Sequence, residues 1–143
     1  MVCTITVGLP AALTSPQSAR DVSCEASTVG EALDAVEASL RPGRTAGDVF
    51  EAHARVMDGH GLQQHRLNAC GYSLGAKFTP SWMDQPMFFR GNRHEIAPGM
   101  VFFAHMILMN SDAGAAYCLG RTYIIGDNGP EPVSRYPLEM IAR

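Results

Sequence analysis

The chain contains 143 residues, a length typical of one domain, and we expect residues 1–143 to form a single domain. Hydrophobic residues make up 46% and charged residues 17% of the sequence, which excludes a disordered, collagen-like or coiled-coil protein. The net charge is −3 and the sequence has no basic cluster, so neither nucleic acid nor an anionic membrane is expected as a partner.

Two helices are predicted in the first half of the chain. Between about Ser18 and Leu40, apolar residues recur at spacings of three and four, which is typical of a buried stripe on one helix. Thr45–Asp48 has the pattern of a capping box at the start of a second helix, which runs to about Met57 with His53 on its inner side. The short connection between the two predicts a helical hairpin.

The other segments favour strands. Their β-branched, alternating or continuously apolar composition predicts strands at Val2–Val7, Cys70–Phe78, Met100–Met109 and Ala115–Ile125. Thr79–Met87 contains two prolines, and we expect it to be irregular. Helices followed by several strands predict an α+β fold, with the helices on one face of a mainly antiparallel sheet.

Several features predict a soluble protein of a bacterial cytoplasm. No basic segment precedes Arg20, so we expect no signal peptide, and the longest apolar run is too short to cross a bilayer. Lys77 is the one lysine among 11 basic residues, a bias that suits a GC-rich bacterial genome. The cysteines are too widely spaced for a zinc site or a dense disulfide framework, and we expect reduced thiols at Cys3, Cys24, Cys70 and Cys118.

Five short motifs follow one another in a specific order. They are Leu40–Gly43 (LRPG), Thr45–Val49 (TAGDV), Gly71–Gly75 (GYSLG), Ile96–Phe102 (IAPGMVF) and Arg121–Ile125 (RTYII). Together they resemble the pita-bread metallohydrolases, which include methionine aminopeptidase, Xaa-Pro aminopeptidase and dipeptidase, creatinase and ectoine hydrolase. The resemblance extends from Val2 to about Pro137. It implies that the chain corresponds to roughly the second half of the pita-bread domain.

The same resemblance implies a metal site whose ligands are substituted in this chain. Active members of the family hold two divalent metals between two Asp, one His and two Glu, and a bridging hydroxide attacks the amide. Here Tyr72 stands at the position of the His, His105 at that of the first Glu, and Gly120 at that of the second. The two Asp would precede Gly8, and we expect the chain to begin after them. We therefore expect no metal and no other cofactor.

The catalytic candidates are Tyr72, His105 and Arg121. Tyr72 and His105 would face the inherited cleft from adjacent strands, and a His–Tyr pair can transfer protons near neutral pH. Arg121 could bind a substrate carboxylate, but we favour an ion pair with Asp112 or Asp127. His105 could instead be an ordinary hydrogen-bonded core residue.

Four further residues are candidate substrate contacts, namely Thr79, Trp82, Phe103 and Cys118. Thr79 stands where the family has a second, substrate-contacting His. Trp82 belongs to a segment that edges the substrate cleft in relatives, although packing in the core or at a dimer interface explains it equally well. Cys118 fits a buried strand residue better than a nucleophile. Asp58 is expected to be an ordinary surface carboxylate.

Three functions are compatible with the sequence. The favoured function is that of a metal-free relative that binds a small amide- or carboxylate-bearing molecule. This hypothesis includes the case in which the chain also transforms the bound molecule. The alternatives are a non-catalytic subunit that dimerises or binds a partner, and a metal-dependent peptidase or amidohydrolase completed by a partner chain. Since half of a pita-bread fold would expose an apolar sheet face or edge, we expect a homodimer or a partner chain.

Overall fold

Within the part of the chain that the structure describes, two helices pack on one face of a five-stranded antiparallel sheet. The structure is a computed structural model and describes residues 16–75, 77, 80–81, 83–112 and 115–135. The elements are α1 (Pro16–Ser39), α2 (Ala46–Gly59), β1 (Ala69–Ser73), β2 (Asp84–Phe89), β3 (Val101–Asn110), β4 (Ala115–Gly126) and β5 (Gly129–Pro132). The strand order is β2-β1-β3-β4-β5, and every neighbouring pair is antiparallel. The predicted α+β class is confirmed.

Both helices follow the pattern in the sequence. The described apolar stripe of α1 is buried at Val29, Leu33 and Val36, and it packs against α2, β3 and β4. At the start of α2, the backbone N–H of Asp48 donates to Thr45 Oγ1 over 3.1 Å, and the Thr45 N–H donates to Asp48 Oδ2 over 2.8 Å. This reciprocal pair is the predicted capping box, and it satisfies two backbone donors that a helix start leaves without intrahelical partners.

A partly buried ion pair holds the segment that follows α2. The Arg66 guanidinium donates to both oxygens of Asp58, from Nε over 2.6 Å and from Nη2 over 3.1 Å. The Arg66 side chain is only 4% exposed, so this pairing compensates the cost of burying its charge. Asp58 is 31% exposed and lies at the surface as expected, and its carboxylate in addition holds the buried Arg66 guanidinium.

The two faces of the sheet differ in burial. Along β3, burial alternates, and Phe102, Ala104, Met106 and Leu108 are fully buried in the core beneath the helices. Because side chains alternate along a strand, the intervening residues point away from the helices. We call this second side of the sheet the open face.

One predicted loop is partly a strand. Asp84–Met87 belongs to β2, although two prolines had suggested that residues 79–87 are irregular. The sequence pattern could not show that β2 is the edge of the sheet, where a proline is tolerated because one side of the strand donates to no neighbour. The predicted strand Val2–Val7 lies outside the described residues. No helix of the described residues is long and apolar enough to cross a membrane.

Candidate functional site

The open face is built mainly from β3, β4 and β1. Directly opposed residues of antiparallel strands share a face, so the register assigns its members. On β3 and β4 they are the pairs Val101–Ile124, Phe103–Thr122, His105–Gly120, Ile107–Cys118 and Met109–Ala116, and β1 adds Tyr72 opposite Phe103. The face is therefore mostly apolar, with a phenol, an imidazole and a thiol among its side chains.

Three rings form the centre of this face. The Phe103 ring lies 5.6 Å from that of Tyr72 and 5.0 Å from that of His105, measured between ring centroids. Tyr72 and His105 meet edge to face with centroids 6.3 Å apart. The structure thus brings together Tyr72, His105 and Phe103, three of the residues selected from the sequence, on adjacent strands.

Cys118 lies directly beside this ring cluster. Its Sγ is 3.0 Å from Nε2 of His105, within the range of a hydrogen bond that involves sulfur. Burial lowers the pKa of His105 below its ordinary value, which favours the neutral imidazole at neutral pH. A neutral imidazole beside a thiol can accept its proton. This contact could not be predicted from the sequence, because only the pairing of β3 with β4 brings the two residues together.

Gly120 leaves room for the ring of Phe103. A Cβ added at position 120 would overlap Phe103 atoms Cζ and Cε2. The aromatic ring therefore occupies the space that any side chain at this position would enter. By the resemblance described above, this is the position of the second Glu ligand of the family.

Arg121 lies on the other side of the sheet. It is paired with Ala104, a helix-facing residue, and its Nη1 is 3.7 Å from Oε2 of Glu37 in α1. The Tyr123 hydroxyl donates to the same carboxylate oxygen over 2.6 Å. The predicted ion pair with Asp112 or Asp127 was wrong, because the alternation along β4 turns Arg121 toward α1. The structure does not bring Arg121 together with Tyr72 and His105.

Thr79 and Trp82 lie outside the described residues. The neighbouring Met83 is 43% exposed. The substrate contacts assigned to Thr79 and Trp82 remain predictions.

Comparison with known proteins places this geometry in a family. Residues 3–127 match metallopeptidase family M24. The chain belongs to family M24. The M24 chain is 29% identical over 129 residues to the uncharacterized hydrolase/peptidase y4tM of Sinorhizobium fredii, covering 90% of this chain and 31% of that protein.

Solved structures show the same fold. Dipeptidase PepE from Mycobacterium ulcerans matches with a TM-score of 0.78 and 24% identity, over 95% of this chain and 33% of that one. The prolidase from Pyrococcus horikoshii matches with a TM-score of 0.77 and 19% identity, over 96% of this chain and 36% of that one. The M24 chain therefore spans about a third of the length of these relatives. Its sheet and helices form half of a pita-bread fold, as predicted.

The described residues of the open face do not by themselves form a site for a pair of divalent metals. Among the described residues, no group of three or more His, Cys, Asp or Glu side chains is placed to hold a metal ion. Hard divalent cations prefer carboxylate oxygens, whereas β1, β3 and β4 offer one imidazole, one thiol, one phenol and the Thr122 hydroxyl on the described open face. Glu131 of β5, opposite Ile124, adds a single carboxylate. The Phe103 ring also fills the place of a side chain at position 120.

Proposed function

We propose that this M24 chain binds a small amide-bearing molecule on the open face without using a metal. The observation that carries the proposal is the Phe103 ring above Gly120, which presents an aromatic surface at the position where the family resemblance implies a carboxylate ligand. Apolar surface with a few polar groups is typical of small-molecule sites. On this proposal, the open face corresponds to the place of the family's active site and offers different chemistry there.

The polar groups of the site favour a neutral amide over a carboxylate. Tyr72 and His105 supply a hydroxyl and an imidazole, both of which can hydrogen-bond to an amide. The open-face residues defined above include no lysine or arginine, and Arg121 contacts Glu37 on the opposite face. A carboxylate would therefore find no guanidinium there, which removes the charge-assisted contact expected from the sequence.

A titration with N-acetylprolinamide tests the proposal. This probe is a neutral proline amide, chosen because the solved structures with this fold include a prolidase. Binding is followed by amide chemical shifts in the presence of a chelator. We expect saturable binding, and Tyr72→Phe should weaken it about fivefold to tenfold, since one hydrogen bond contributes roughly 1 kcal/mol.

The matched control is Tyr117→Phe. Tyr117 is paired with the fully buried Leu108 and therefore lies on the helix-facing side of the same sheet. Its substitution should leave the affinity for the probe unchanged. Binding that appears only after manganese or zinc is added would instead support the metal-dependent peptidase completed by a partner. No saturation with or without a metal would contradict the proposal.

A second candidate is a non-catalytic subunit that binds a second copy of itself or a partner chain. It is supported by Met109 and Ile124, which are 55% and 44% exposed on the open face. Exposed apolar groups next to a half-buried sheet face are typical of an interface. In sedimentation experiments, Ile124→Asp should then dissociate an oligomer, whereas Val133→Asp, at an exposed residue after β5, should not.

We also propose a bacterial cytoplasmic location. Cys70 and Cys118 are both thiols, which suits a reducing compartment. The curated relatives y4tM and y4tL are proteins of the bacterium Sinorhizobium fredii. Fractionation of the native host is the direct test, and recovery of the protein in the periplasm would contradict this location.

A further inference from the structure

We propose that Cys118 and His105 form a nucleophile–base pair, and that Cys118 is a modification site for low-molecular-weight disulfides. The two side chains come from different strands and meet on the open face with 3.0 Å between Nε2 and Sγ. His105 also takes part in the proposed amide binding, but this proposal does not depend on that function, because it requires only the thiol, the imidazole and access from solvent.

The register of β3 with β4 places His105 next to Cys118. His105 lies opposite Gly120, and Cys118 lies opposite Ile107, so the two side chains are diagonal neighbours on one face. Diagonal neighbours in an antiparallel pair are within reach of long side chains. The missing side chain at Gly120 leaves room for the Phe103 ring, and the centroid of that ring lies 5.0 Å from the centroid of the imidazole.

The surroundings of the two described thiols differ sharply. Cys118 is only partly buried, whereas Cys70 is 1% exposed. Burial raises the pKa of Cys70, which keeps its thiol protonated and unreactive. Cys118 has an imidazole at hydrogen-bond distance that can accept its proton. The chain therefore carries its own unreactive reference thiol.

Thiol–disulfide exchange fits this pair better than acyl transfer. Acyl transfer requires hydrogen-bond donors positioned for a developing oxyanion. The ring neighbours that the structure gives His105 are Phe103, which has no donor, and Tyr72, whose single hydroxyl is the one side-chain donor of these two rings. Exchange requires a thiolate, a proton acceptor and an accessible disulfide, and it creates no oxyanion.

In this reaction the low-molecular-weight disulfide is the oxidant and the Cys118 thiol is oxidised. As His105 Nε2 accepts the thiol proton, Cys118 Sγ attacks one sulfur of the disulfide R–S–S–R. The S–S bond breaks while a new S–S bond forms, which leaves Cys118 as the mixed disulfide and releases R–S⁻. The proton held on His105 then passes to the released thiolate, giving R–SH and the neutral imidazole.

Oxidised glutathione is the probe for the test. The reduced full chain is incubated with it near neutral pH, and the rate at each cysteine is followed by peptide mass spectrometry. We expect Cys118 to react at least about tenfold faster than in His105→Gln, which removes the proton acceptor but keeps a polar side chain. His65→Gln, at a half-buried histidine outside the open face, is the matched control and should react like the wild type.

Measurements on the unfolded chain distinguish reactivity that depends on the His105–Cys118 contact from the ordinary reactivity of an exposed thiol. In concentrated urea, Cys70 and Cys118 should react at the same rate, and His105→Gln should have no effect there. Circular dichroism of the folded variant checks that the substitution leaves the fold intact. Equal rates at Cys118 in folded wild type and folded His105→Gln would overturn the proposal, as would a Cys118 that reacts no faster than Cys70.

Discussion

The aromatic ring of Phe103 lies against the α-carbon side of Gly120 on the neighbouring strand, in the space that a side chain at position 120 would enter. This relationship connects the fold to the proposed function. The family resemblance implies a glutamate ligand at this position, and here the neighbouring aromatic ring fills the space. The result is an apolar surface at the centre of the open face.

The first prediction tests the packing of Phe103 against Gly120. Gly120→Ala should reduce the free energy of unfolding by about 1–3 kcal/mol, because the added methyl group displaces a ring that is packed between Tyr72 and His105. In a Phe103→Ala background the same substitution should cost less than about 1 kcal/mol, because the overlapping ring is gone. Urea unfolding of the four proteins in this double-mutant cycle measures the coupling.

Gly30→Ala is the control for this cycle. A Cβ at Gly30 meets nothing within 4 Å, and the residue lies inside α1. The substitution should therefore stabilise the protein by about 0.5–1 kcal/mol, since alanine has the higher helix propensity. An equal effect of Gly120→Ala with and without Phe103 would show that the ring does not set the requirement for glycine.

The second prediction concerns acid stability and His53. His53 is 1% exposed, and neither ring nitrogen has a hydrogen-bond partner among the described residues. Burial, with a smaller effect from the Arg66 charge, lowers the pKa of His53 to about 4. Because the pKa of His53 is lower in the folded chain than in the unfolded chain, neutral His53 favours the folded state. This contribution to stability is fully present above the unfolded-state pKa of about 6.5 and is lost as the pH falls toward 4.

The expected loss at His53 is roughly 3 kcal/mol between pH 6.5 and pH 4. His53→Leu removes the titrating group, so its unfolding free energy should vary much less across this interval. His94→Gln, at an exposed histidine, should retain the wild-type profile. Urea unfolding at a series of pH values measures all three, and a wild-type profile that stays flat over the interval would contradict the assignment.

The third prediction concerns the partly buried ion pair between Asp58 and Arg66. Asp58→Ala should destabilise the protein by about 2–4 kcal/mol, because it leaves the Arg66 guanidinium buried without its carboxylate. The double variant Asp58→Ala with Arg66→Met should recover part of this loss, since a buried apolar side chain carries no uncompensated charge. Thermal unfolding compares the variants, and a double variant less stable than Asp58→Ala would contradict this explanation.

The fourth prediction tests whether Arg121 stabilises the fold without taking part in binding on the open face. Arg121→Met should lower the unfolding temperature, because Glu37 loses a charged neighbour while it still accepts from the Tyr123 hydroxyl. The affinity for N-acetylprolinamide should stay unchanged, since Arg121 lies on the helix-facing side. Loss of binding in a variant that remains folded would show that Arg121 contributes to the binding site.

The sequence predicted the local elements well and the contacts between them poorly. The stripe of α1 and the capping box of α2 depend on residues close in the chain, and both were confirmed. The contact of His105 with Cys118 and the contact of Arg121 with Glu37 depend on strand register and on which face meets a helix. Those relations are not local, so composition and spacing could not reveal them.

The most direct test of metal independence is native mass spectrometry combined with elemental analysis of the protein purified without chelator. We predict less than one equivalent of manganese, cobalt, zinc or iron per chain, and a melting temperature that a chelator does not change. Two tightly held ions per chain, with a melting temperature that falls when they are removed, would contradict the account.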